Sequence, residues 1–148
     1  MMQINTPRCF NPSSWENELK LFVESSKLSE LIAWLVSVLM PSASPESSIL
    51  LRNIQTYLES PSPTLRWDIF KRAENIGFST STGLLGLVLF LMDGSMSPEG
   101  YEPVYPPEGV AEQIIHCILV LLAVSKSECP SKEAEVLFID WCNYKRYE

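Results

Sequence analysis

The sequence predicts an all-α fold, a single compact domain of about seven mostly antiparallel helices with one long Pro/Gly-rich loop over residues 93–109. Three observations lead there. Apolar residues recur every three or four positions along most of the chain, as in helices with one buried face. Ser44-Pro45 and Ser62-Pro63 each place a capping serine and a first-turn proline in front of such a stretch. No run alternates apolar and polar residues strongly enough to predict a strand. A chain of 148 residues, 46% apolar and 20% charged, has the size and composition of one globular domain.

Residues 1–12, MMQINTPRCFNP, are polar, contain two prolines and are expected to be irregular. They hold no apolar run of the kind a secretory signal peptide needs. Ser13 with Glu16 fits a capping box for a first helix carrying Trp15, Leu19, Phe22 and Val23. A second helix is expected from Lys27 to Met40, with Leu28, Leu31, Ile32, Leu35 and Leu39 on one stripe and Pro41 as its stop. Trp34 lies off that stripe, which implies neighbours on two sides. Ser44-Pro45-Glu46 opens a third helix with Leu50, Leu51, Ile54, Tyr57 and Leu58. Ser62-Pro63-Thr64 opens a fourth with Leu65, Ile69, Phe70, Ala73 and Ile76, ended by Gly77 in a left-handed conformation.

A fifth helix is expected over Thr82–Met92 despite Gly83 and Gly86. Each glycine costs an exposed helix about 1 kcal/mol relative to Ala, which a closely approaching helix backbone would offset. A sixth follows over Glu108–Lys126. It is apolar nearly all round from Ile114 to Val124 and is expected to be the central helix. Pro130 and Ser131 start the last, whose stripe is Ala134, Leu137, Phe138, Trp141 and Cys142. The apolar runs Leu84–Met92 and Ile114–Val124 are shorter than the roughly 18–20 residues of a membrane span, so no membrane insertion is expected.

No catalytic site is legible. Nucleophilic chemistry needs a nucleophile, a base and an orienting group, and the chain has one histidine, His116. Its neighbour Cys117 lies about 100° away around the helix. Cys9, Cys117, Cys129 and Cys142 are scattered, without the ligand spacing of a metal site. They are expected to be reduced thiols of a cytoplasmic protein, with Cys117 and Cys142 as small buried apolar groups. No phosphate-binding glycine loop is present. The expectation is therefore no enzyme, no metal and no cofactor. The net charge of −7 argues against a nucleic-acid partner.

The charge is concentrated. Between Asp93 and Glu112 stand five acids, Asp93, Glu99, Glu102, Glu108 and Glu112, and no Lys or Arg. Met96, Tyr101, Val104 and Tyr105 are interspersed. Two readings are open: a proline-stiffened loop whose aromatics fold back onto the core, and a partner-binding edge. In the second, Met96, Glu99, Tyr101, Glu102, Val104, Tyr105 and Glu108 form the contact surface. Tyrosines on a stiff loop offer contact area at low entropic cost, and the acids steer a basic protein. Net charge favours solubility and leaves a dimer through an apolar helix face open.

The stretch Tyr57–Ala123 resembles a bacterial domain-of-unknown-function family, number 6931. The resemblance runs through Pro61, Pro63 and Arg66, then Arg72-Ala73-Glu74 and Gly77-Phe78. Its most specific part is Phe90, Gly94-Ser95-Met96 and Pro98, followed by Pro103-Val104 and Pro106-Pro107. The family pattern has an aromatic pair and an extra glycine where this chain has Phe90-Leu91-Met92-Asp93. The resemblance implies a cytoplasmic protein of Gram-negative bacteria associated with type VI secretion. It implies an accessory role, as adaptor or chaperone for a secretion effector or spike component. An immunity protein that neutralises a co-encoded toxin is the alternative.

Overall fold

Each of the seven periodic apolar stretches forms a helix in the computed structural model, which describes residues 10–126 and 128–146. They are α1 (Trp15–Glu24), α2 (Leu28–Leu39), α3 (Pro45–Glu59), α4 (Pro63–Ile76), α5 (Ser81–Met92), α6 (Val110–Lys126) and α7 (Pro130–Arg146). Short 3₁₀ turns cover Pro12–Ser14 and Met40–Ser42, and no strand occurs among the described residues. The architecture is an all-α domain around one core.

The Ser-Pro signals act as expected. Ser44 Oγ accepts the backbone N–H of Ser47 at 3.2 Å, and Ser62 Oγ accepts that of Leu65 at 3.3 Å. Thr80 caps α5 in the same way, accepting from Gly83 at 3.0 Å. The first helix starts differently from the expectation. Asn11 Oδ1 accepts both the N–H of Ser13 (3.1 Å) and its hydroxyl (2.7 Å), so Ser13 is spent inside a 3₁₀ turn and forms no capping box with Glu16. Within the segment expected to be irregular, Phe10 is buried against Phe138, with ring centroids 5.6 Å apart. Residues 1–9, including Cys9, lie outside the described residues. Gly77 ends α4 at φ 106° and ψ 139°, a positive φ but not the left-handed helical well.

The central helix is α5, not α6. Seven of its residues, Thr82, Gly83, Leu85, Gly86, Val88, Leu89 and Phe90, are buried, and α2, α3, α4 and α6 surround it. The glycines are the reason. A Cβ on Gly86 would stand 2.8 Å from Ala73 Cβ of α4, and one on Gly83 only 2.0 Å from the carbonyl oxygen of Gly77. Backbones that close leave no room for solvent on that side. By contrast, α6 buries Ile115, Ile118, Leu119, Leu122 and Ala123 but exposes Leu121, Val124 and Cys117. Cys117 is thus exposed, against the expectation of burial, because it falls on the side of α6 away from α1, α5 and α7. Cys142 is half-buried, and burial raises its thiol pKa.

Two aromatic clusters bind the helices together. Phe22, Trp34, Phe138 and Trp141 join α1, α2 and α7, with the Trp34 and Trp141 rings 5.4 Å apart. The Trp34 indole N–H donates to Asp140 at 2.8 Å, so this off-stripe tryptophan does face a second neighbour. Trp67, Phe70 and Phe90 form the other cluster, between α4 and α5, with the Phe70 and Phe90 rings 4.5 Å apart. No helix among the described residues is long and apolar enough to cross a membrane.

Candidate functional site

The connection from α5 to α6 is tied at its base by α4. Arg66 lies on the buried stripe of α4, with Ile69 and Ala73. Its Nε and Nη2 donate to the Phe90 carbonyl at 3.0 and 2.6 Å, and Nη2 also donates to the Ser95 carbonyl at 2.9 Å. The guanidinium carbon sits 4.1 Å from the Phe90 ring centroid. One planar side chain thus holds the last turn of α5 and the first turn of the loop together. Gly94 crosses over it at φ 127°, and a Cβ there would stand 3.2 Å from the guanidinium carbon. Burial lowers the Arg66 pKa from its ordinary value, and the nearby Tyr57 and Asp93 oppose that shift. The Tyr57 hydroxyl donates to Asp93 at 2.5 Å. Burial first, and the Asp93 carboxylate second, push the phenol up to about 12.

Beyond this base the loop is organised around Ser95. Its Oγ accepts the N–H of Ser97 at 3.0 Å and the N–H of Val104 at 2.9 Å, and donates to the Val104 carbonyl at 3.3 Å. Met96 N–H donates to the same carbonyl at 2.7 Å. Ser97 Oγ donates to the Glu102 carbonyl at 2.7 Å, and Tyr101 N–H to the Pro98 carbonyl at 3.2 Å. Polar backbone groups that a strand or helix would otherwise satisfy are thus paired inside the loop.

The aromatics do not fold back onto the core. Tyr101 is 72% exposed, Tyr105 64% and Val104 51%. Glu99 and Glu102 are exposed beside them, and Met96 is half-buried. Six of the seven expected contact residues therefore share one tied loop. Glu108 does not join it. It lines a groove of about 630 Å³ between α1 and the start of α6, together with Lys20, Glu24, Glu112, Gln113 and His116. His116 bridges the two helices, since its Nε2 lies 2.8 Å from the Glu16 carbonyl and must donate to it.

Sequence reasoning missed Arg66, Tyr57, Asp93 and the serine ties. Two signals were present: Arg66 falls in register with Ile69 and Ala73, and Ser95 and Ser97 flank a Gly/Pro-rich turn, where serines bond local backbone. Among the described residues no cluster of three His, Cys, Asp or Glu is placed to hold a metal ion. The loop offers exposed aromatic area at Tyr101 and Tyr105 and negative charge at Glu99 and Glu102.

Comparison with curated proteins and with solved structures gives no match. The sequence profile of a family described as "Family of unknown function (DUF6931)" matches residues 13–141, the whole helical domain up to the middle of α7, and the chain belongs to that family.

Proposed function

We propose that this chain is a non-enzymatic accessory protein that captures a basic segment of another protein on its 95–105 loop. The observation that carries the reading is the exposure of Tyr101 and Tyr105, 72% and 64%, on a loop cross-tied by Ser95 and anchored by Arg66. Tyrosines on a tied loop offer contact area at little backbone entropy cost, and Glu99 and Glu102, exposed beside them, attract positive charge. The resemblance to proteins associated with type VI secretion supports a secretion effector or spike component as the partner, with this chain as adaptor or chaperone.

The test is capture by tagged protein from its native bacterium, compared between wild type and Tyr101→Ala with Tyr105→Ala. The double variant is expected to lose the partner while its melting temperature stays within about 2 °C of wild type. Normal capture by a folded double variant would reject the loop as the contact surface. The acidic loop also suits an immunity protein that blocks a basic toxin cleft. Gene deletion separates the two roles. Loss of an immunity protein kills cells only while the toxin gene is intact; loss of a chaperone leaves cells healthy and reduces secretion.

A further inference from the structure

Helices α6 and α7 each carry a second apolar stripe, opposite the one they bury. On α6 it is Cys117, Leu121 and Val124, spaced four and three residues apart, and Val124 is 52% exposed. Residues 113–125 contain no Asp, Glu, Lys or Arg, so no charged side chain from this helix covers the stripe. On α7 the stripe is Val136, 55% exposed, and Ile139, 46% exposed. The two helices pack directly on one another. A solvent-facing helix side is ordinarily charged or polar, and an uncharged apolar one marks a contact surface.

The charges flanking Val136 define what covers this face. Lys132 stands four residues before Val136 and Asp140 four residues after it, and both are exposed. Residues four apart form one ridge along a helix. The ridge Lys132–Val136–Asp140 is thus positive at one end, apolar in the middle and negative at the other. The Asp140 carboxylate is held in direction through Oδ2 by the Trp34 indole N–H at 2.8 Å. Such a ridge is complementary to itself when reversed.

We propose that this face binds a second copy of the chain, with α7 packed antiparallel on its symmetry mate about a two-fold axis beside Val136. Each Lys132 then meets the Asp140 of the mate, and two ion pairs bracket an apolar centre of Val136 and Ile139. A two-fold pairing uses the same patch on both copies, as self-complementarity requires. A parallel register places Lys132 against Lys132 and Asp140 against Asp140, which like-charge repulsion disfavours.

Sedimentation of the full chain under reducing conditions tests this. Wild type is expected to reach twice the 16.7 kDa chain mass as concentration rises. Val136→Glu is expected to stay monomeric with an unchanged helical circular dichroism spectrum. Lys132→Glu should raise the dimer dissociation constant at least about tenfold, and Lys132→Arg should leave it near wild type. Under mild oxidation Val136→Cys should form a disulfide-linked dimer beyond the wild-type background, whereas Ile49→Cys, exposed on α3, should not. Wild type that sediments as a monomer at its highest soluble concentration overturns the proposal. So does a Lys132→Glu variant that dimerises as wild type does, or a Val136→Cys variant that crosslinks no better than Ile49→Cys. The last two readings hold even if Val136→Glu fails to fold.

Discussion

Ser95 and Arg66 turn a Gly/Pro-rich connection into a defined surface. Ser95 Oγ meets three backbone groups, and the Arg66 fork meets two carbonyls. Ser95→Ala is expected to speed amide hydrogen exchange at Ser97 and Val104, whose N–H groups lose their acceptor, while leaving the helices protected. Arg66→Lys keeps the charge but loses the planar fork over Phe90, so exchange at Met96 and Val104 should rise as well. Removing the side chain entirely, Arg66→Ala, leaves the Phe90 and Ser95 carbonyls without this donor and should cost on the order of 3 kcal/mol in a denaturant titration.

Tyr57 adds a pH dependence at the same base. Its native-state value of about 12 stands above the ordinary tyrosine value of about 10. A raised value means that folding favours the protonated phenol. That contribution is complete below about pH 10 and is lost as pH climbs towards 12. The melting-temperature advantage of wild type over Tyr57→Phe should therefore hold at neutral pH and shrink through that alkaline window. An advantage that stays constant across it would remove the Tyr57–Asp93 bond from the account.

At the scale of elements, the glycines of α5 decide which helix lies at the centre. Gly86→Ala gains about 1 kcal/mol of helix propensity. The added Cβ would lie 2.8 Å from Ala73 Cβ, however, and overpacking costs about 1–3 kcal/mol. The variant should be destabilised in a denaturant titration. Gly83→Ala should be worse, because its Cβ meets the Gly77 carbonyl oxygen at 2.0 Å and the α4–α5 turn itself has to move.

These same glycines show what was legible in the sequence. Apolar spacing and Ser-Pro caps placed all seven helices, because those signals are local. The centre was misread, because all-round apolarity in α6 looks the same whether neighbours or solvent face it. Close backbone approach at Gly83 and Gly86 removes that ambiguity, and it depends on α4. The cap at Ser13 was misread because Asn11, two residues earlier, competes for the same groups. In the loop, residue types pointed to the surface residues Tyr101, Val104 and Tyr105. Their outward direction was not legible, since it depends on Ser95 and Arg66, which act across 9 and 29 residues respectively.

For the whole molecule, a helical core presents an aromatic loop with exposed Glu99 and Glu102 at one connection, and exposed apolar stripes on α6 and α7 elsewhere. The core holds through the aromatic clusters and α5, so changes confined to the loop surface should leave stability nearly intact. That separation makes the central claim directly testable. The measurement is partner capture from the native bacterium by wild type and by Tyr101→Ala with Tyr105→Ala, read beside each protein's melting curve. The account predicts a protein partner with wild type and its loss with the double variant, at melting temperatures within about 2 °C. Equal capture by the two proteins, or unfolding of the double variant, would contradict it.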